Sequence, residues 1–133
     1  MSAEVLVLDA SVGVKWFRDE AGSDRARELI ARMGKGAAQL VVPAVFPFEV
    51  LDVARRLFGL TDAKRVWDQL SAAGLLVAGS DEALLADTFS IAGSLGCTLY
   101  DAAAPALAAR LGCPLMSADK RAHGRVEGVR LIG

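Results

Sequence analysis

Four times in this chain an apolar, strand-like run gives way to a helix or turn at an acidic residue. The acids are Asp9 in Val-Leu-Val-Leu-Asp-Ala-Ser, Glu49 in Pro-Phe-Glu-Val-Leu-Asp-Val, Asp101 in Thr-Leu-Tyr-Asp-Ala-Ala and Asp119 in Pro-Leu-Met-Ser-Ala-Asp-Lys. Strand ends in a parallel α/β sheet all open onto one crevice, so carboxylates distant in sequence can converge there. Converged carboxylates suit hard cations such as Mg²⁺ or Mn²⁺, which take oxygen ligands. The pattern points to a metal-dependent enzyme acting on phosphate.

The elements between these acids alternate in type. Glu4 to Leu8 reads as a strand, and Ala10 to Arg18 has helical spacing through Val12, Val14, Trp16 and Phe17. Ser23 and Asp24 cap a second helix to about Met33, and Leu40 to Val42 is a strand ended by Pro43. Helices follow from Phe48 to Phe58 and from a Thr61 cap to Gly74, then a strand at Leu75 to Ala78. Asp81 to Leu95 is helical after a Ser80 cap, Cys97 to Leu99 is a very short extended piece, and Asp101 opens an alanine-rich helix to Leu111. Pro114 to Met116 is the fourth strand, Lys120 to Gly124 a short turn or helix, and Val129 to Ile132 a final strand. The order βααβααβαβαβ predicts a three-layer α/β/α sandwich on a mainly parallel central sheet. At 133 residues, residues 1–133 are read as one domain, able to bury roughly two-thirds of the unfolded surface.

Bulk properties remove several function classes. Net charge is −1, so any nucleic-acid contact must use local positive charge rather than a broad basic face. Lys15, Arg55, Arg56, Lys120, Arg121 and Arg125 are the cations available for such a rim, Lys120 and Arg121 first because they follow Asp119. Cys97 and Cys113 lie outside any CxxC or Cys/His cluster, which supports neither zinc nor a disulfide scaffold. No GxGxxG or GxxxxGK[ST] occurs, so dinucleotide and P-loop readings fail. A dehalogenase-like protein would want an aspartate where Ser11 stands, and a receiver-like one an aspartate after the third strand, where Val77-Ala78-Gly79 has none. No apolar run approaches the ~20 residues that span a bilayer, and the N-terminus lacks the order of a secretory signal, so a cytoplasmic protein without membrane partners is expected.

Four segments then appear in order: Leu8-Asp9-Ala10-Ser11 through Lys15-Trp16-Phe17, Val42-Pro43 with Phe48-Glu49-Val50, Tyr100-Asp101-Ala102-Ala103 through Ala108, and Leu115-Met116-Ser117-Ala118-Asp119. Together, from Val5 to Leu131, they resemble the PIN-domain family, specifically the small VapC-type toxins of bacterial toxin–antitoxin pairs. The resemblance implies a Mg²⁺- or Mn²⁺-dependent endoribonuclease that hydrolyses RNA phosphodiester bonds. It implies Asp9, Glu49, Asp101 and Asp119 as catalytic residues and metal ligands, and Ser117 beside the last aspartate as a further catalytic residue. It also implies a VapB-like antitoxin partner, bound along a hydrophobic groove near the site, and a homodimer. Two positions depart from the family pattern: Asp52 stands where asparagine is common, three residues after Glu49, and Pro105 falls within the first turn or so of its helix, where proline is tolerated.

Each acid also has a plainer reading. Asp9 and Asp101 suit helix caps, Glu49 suits the positive end of a helix dipole, and Asp119 suits a surface ion pair with Lys120 or Arg121. Asp52 reads equally as a solvated helix charge. Ser117 is expected either to orient Asp119 or a metal-bound water, or merely to bond the strand end. His123, the lone histidine, sits in a polar turn and is expected to be solvated. The aromatic residues Trp16, Phe17, Trp67, Phe46, Phe48, Phe58 and Phe89 are expected in the core or at interfaces, and the apolar faces around Leu57, Phe58 and Trp67 are expected to bury a partner. The rival to the nuclease is a non-catalytic PIN-fold module that binds RNA or protein.

Overall fold

A computed structural model describes residues 3–133. Five parallel strands, β1 (Glu4–Leu8), β2 (Ala38–Pro43), β3 (Leu76–Ala78), β4 (Leu115–Ser117) and β5 (Arg130–Leu131), form one sheet in the order β3-β2-β1-β4-β5. The helices are α1 (Ala10–Gly13), α2 (Ser23–Gly34), α3 (Phe46–Phe58), α4 (Leu60–Ala72), α5 (Glu82–Leu95), α6 (Leu99–Leu111) and α7 (Lys120–His123). A 3₁₀ turn at Val14–Phe17 continues α1. Side chains alternate across the strands, and the buried residues divide accordingly. Leu6, Leu8, Leu40 and Val42 pack with Val12, Trp16, Leu29, Phe46 and Val50 on one face. Val7, Val41 and Leu115 pack with Leu84, Ala104 and Leu107 on the other. The chain is therefore the expected α/β/α sandwich. No single described helix is long and apolar enough to cross a membrane.

Several local expectations shift. Cys97 to Leu99 is not extended sheet: the Thr98 hydroxyl accepts from the Asp101 backbone N–H at 3.0 Å and caps α6, which begins at Leu99. Helix α5 is thus followed directly by helix α6, with no strand between them. Asp81, not Ser80, caps α5 through the Leu84 N–H, and α4 begins at Leu60, one residue before Thr61. The earlier start of α6 also moves Pro105 from the first turn into the helix interior.

Gly13 sets how closely α1 approaches α3. A Cβ built there would stand 2.6 Å from Phe46 Cζ and 2.7 Å from Val50 Cγ2. Both side chains are fully buried and have nowhere to retreat. Gly13→Ala is therefore expected to destabilise the protein, because overpacking costs about 1–3 kcal/mol while the gain in helix propensity returns only about 1 kcal/mol. Chemical denaturation checks this, and a Gly13→Ala variant as stable as the wild type would show that α1 and α3 separate freely.

Candidate active site

The strand order reverses its sense of winding between β1 and β4, and the crevice at such a switch point is where open α/β sheets bind ligands. Asp9 follows β1 and Asp119 follows β4, the two strands that flank this point. The Asp9 N–H donates to the Met116 carbonyl at 3.0 Å, extending the ladder one residue past β1. Glu49 enters from the first turn of α3, after β2, and Asp101 from the first turn of α6.

Capping and site geometry coexist at two of the acids. Asp9 Oδ2 accepts from the Ser11 N–H at 2.9 Å, and Asp119 Oδ1 accepts from the Ala122 N–H at 3.0 Å. Each bond fixes the carboxylate's orientation while leaving its second oxygen available. Asp101 does not cap its helix, since Thr98 does. Among the described residues none of the four forms an ion pair, including Asp119 with its neighbours Lys120 and Arg121.

Electrostatics links the acids. Burial pushes the Glu49 carboxyl above its usual range, and the negative charges of Asp9 and Asp101 push it further in the same direction. Asp101 and Asp119 line one cavity of about 460 Å³ with Cys97, Thr98 and Arg121. The Cys97 thiol is raised chiefly by burial, with Asp101 and Asp119 adding to the effect. Asp9, Glu49 and Asp101 thus share a field, and Asp101 shares a cavity with Asp119. The donor set fits a hard divalent cation in kind. As the side chains stand, no three His, Cys, Asp or Glu groups among the described residues are gathered closely enough to hold one ion.

Asp52 lies apart from this field. Its carboxylate meets Arg55 Nε at 2.7 Å and Arg56 Nε at 3.9 Å, and the Arg55 hydrogen bond holds it below its ordinary value. Of the rim cations, Lys15 bonds Glu20 and the Ala21 carbonyl, and Arg125 bonds the Leu95 carbonyl. Lys120 and Arg121 are exposed, and neither forms an ion pair among the described residues.

Ser117 and His123 are both 0 % exposed. The Ser117 hydroxyl accepts from the Asp119 N–H at 3.0 Å and lies 2.6 Å from His123 Nδ1 and 3.4 Å from Ser11 Oγ. Ser117 therefore reaches Asp119 through the backbone. The solvated histidine expected from the sequence is instead a core residue, held because both ring nitrogens find partners that replace water. No local pattern in the sequence marks it, because its partners lie 6 and 22 residues away along the chain.

The raised Glu49 carboxyl makes metal-free stability depend on pH with a definite sign. Where the folded value exceeds the unfolded one, the native state binds more protons, so stability falls as pH rises through the window from about 4.5 upward. Below that window the penalty is absent; above the folded value it is complete. In EDTA, Glu49→Gln should gain stability relative to the wild type as pH rises through the window. Urea midpoints that stay parallel for the two proteins would remove this electrostatic coupling.

Residues 6–128 match the profile of the PIN domain. The chain belongs to the PIN domain family. By sequence no curated protein matches it. Among solved structures, a toxin–antitoxin complex from Klebsiella pneumoniae superposes with a TM-score of 0.75 at 15% identity, covering 94% of this chain and 95% of that one. VapC20 of Mycobacterium tuberculosis, described as a Sarcin-Ricin loop cleaving toxin, gives 0.72 at 14% identity over 94% and 98% of the two chains. DNA-bound VapBC of Salmonella typhimurium gives 0.68 at 15% identity over 98% and 97%. At these identities the likeness to the solved structures is one of fold. This PIN domain carries Asp9 and Asp119 just past strands β1 and β4, and Glu49 and Asp101 in the first turns of helices α3 and α6.

Proposed function

We propose that this PIN domain is a VapC-like toxin, an endoribonuclease that hydrolyses RNA phosphodiester bonds with Mg²⁺ or Mn²⁺. The observation that carries the reading is the uncompensated charge at the switch point: Glu49, raised chiefly by its burial, is raised further by Asp9 and Asp101, and none of the four acids has a cationic partner among the described residues. Asp52 and Asp81, by contrast, are each paired with an arginine, Arg55 and Arg110, and lie below the ordinary carboxylate value. Asp9, Glu49, Asp101 and Asp119 would hold the cation, their side chains drawing inward as its charge offsets their repulsion. When bound, the metal supplies a water activated at neutral pH and neutralises charge developing on the phosphate. Arg121, on the cavity shared by Asp101 and Asp119, is placed to hold the RNA backbone. Ser117 acts by orienting the Asp119 turn.

The antitoxin reading is supported by an apolar groove of about 620 Å³ between α3 and α4, lined by Pro47, Phe48, Leu51, Leu60 and Trp67 among others. Phe48 is 80% exposed and Leu60 72%, a hydrophobic surface beside Glu49 that suits the apolar face of a VapB-like segment. Leu85, Phe89, Leu99 and Tyr100 leave a second exposed apolar surface on α5 and α6, which suits a homodimer.

The purified chain should cut structured RNA with Mg²⁺ or Mn²⁺ and stop on addition of EDTA. Its failure to cut any of a broad RNA panel in either metal would favour the non-catalytic module that binds RNA or protein.

A further inference from the structure

Pro105 is the seventh residue of α6, so the carbonyl that its backbone N–H would take in a regular helix belongs to Asp101. Proline has no N–H, and its ring crowds the carbonyl four residues back. The freed Asp101 carbonyl does not go unpartnered: His123 Nε2, 22 residues further along the chain, lies 2.6 Å from it. A carbonyl only accepts, so Nε2 carries the hydrogen, and in the neutral ring Nδ1 then accepts from the Ser117 hydroxyl at 2.6 Å. Ser117 in turn takes the Asp119 N–H at 3.0 Å, and Ser11 takes the Ala118 N–H at 3.0 Å. Among the described residues no buried side-chain polar atom is left unpaired.

We infer that Pro105 and His123 form a matched positioning pair, in which proline frees the Asp101 carbonyl and histidine locks it to the Ser117–Asp119 turn, setting the two aspartates of the shared cavity relative to each other. The inference rests on the metal-dependent reading above. His123 touches neither RNA nor metal and acts through the backbone of the residues that would. Outer-sphere partners of this kind commonly change metal affinity or activity by about 10–100-fold.

The test uses His123→Asn, Pro105→Ala, their combination and His123→Gln. Asparagine meets Ser117 but is too short for the Asp101 carbonyl, whereas glutamine carries an amide donor toward it. Calorimetric titration of the RNA-free protein with Mn²⁺ is the first readout, and the split of RNA cleavage into kcat and KM is the second. His123→Asn should weaken Mn²⁺ binding about 10–100-fold and lower kcat with little change in KM. The double variant should recover the stability lost with the unpartnered carbonyl, because alanine in place of Pro105 returns an N–H to the Asp101 carbonyl, but not the Mn²⁺ affinity, because that carbonyl is still untied from the Ser117–Asp119 turn; His123→Gln should keep the affinity.

A His123→Asn protein that binds Mn²⁺ and turns over like the wild type overturns the pair while leaving the nuclease standing, as does a double variant that regains wild-type Mn²⁺ affinity without the tie. A wild type that neither binds Mn²⁺ nor cuts RNA overturns the nuclease reading and this inference with it. Should His123→Asn not fold, the double variant and His123→Gln carry the comparison: weakened Mn²⁺ binding in the double variant with near wild-type binding in His123→Gln supports the pair, and any other combination overturns it.

Discussion

Asp9→Asn is expected to cut RNA cleavage by more than about 100-fold, since partners one shell further from a metal already account for about 10–100-fold, while leaving the metal-free protein at least as stable as the wild type. The two halves of this result have one cause. Asparagine caps helices as well as aspartate does, so the bond from the Ser11 N–H and the start of α1 survive. What disappears is a negative charge that raises the Glu49 carboxyl. Without metal that charge only repels its neighbours; on the proposed reading, metal would turn it into a ligand. Cleavage assays with Mn²⁺ and urea melts in EDTA read the two halves separately. If Asp9→Asn lost activity and metal-free stability together, Asp9 would be a structural cap whose loss deforms the turn. If it lost neither, the acid would stand outside the reaction.

Phe46→Ala should be the most damaging single change to stability, costing about 3–5 kcal/mol, the range for truncating a buried phenylalanine. Phe46 is 1 % exposed, fills the space left by Gly13, and meets Trp16 edge-on at a ring separation of 5.8 Å. Small domains are stable by only about 5–15 kcal/mol, so the change removes a large share of the total. It should also blunt activity in the fraction that stays folded, because Phe46 anchors the first turn of α3, which carries Glu49. Phe48, two positions on and about 200° around the helix, is the internal control. It is exposed, and Phe48→Ala should change stability by no more than about 0.5 kcal/mol. Denaturation curves that placed the two alanine variants together would contradict the packing described for α3.

Much of the architecture was legible from local pattern. The apolar runs ending at Asp9 and Pro43, the helical spacing of Val50, Val53 and Ala54, and the glycines after α3, α5 and α6 mark their elements because burial face and backbone punctuation are local properties. Errors came where two local signals competed. Thr98 and Asp101 are both good caps, and a cap at Asp101 leaves Cys97 to Leu99 outside the helix and sets Pro105 half a turn nearer its start, whereas Thr98 is the cap that forms. The aromatic stripes did not say which side chains are core: Trp16 and Phe46 are buried, while Phe48, Phe58 and Phe89 are exposed.

Strands that end in acids, and helices that cover both faces of a parallel sheet, follow from the order of residues alone, because strand period, helix period and caps are written within a few neighbouring positions. The closed fold was needed to bring β1 and β4 side by side, to load the charge of Asp9 and Asp101 onto Glu49, and to draw Asp52 off to Arg55 instead. The fate of His123 shows why. Its burial depends on a carbonyl 22 residues away, and that carbonyl is available because a proline within the same distant helix cannot donate to it. A hydrogen bond between separated segments has no period and no local composition, so it becomes visible only when the chain has closed on itself.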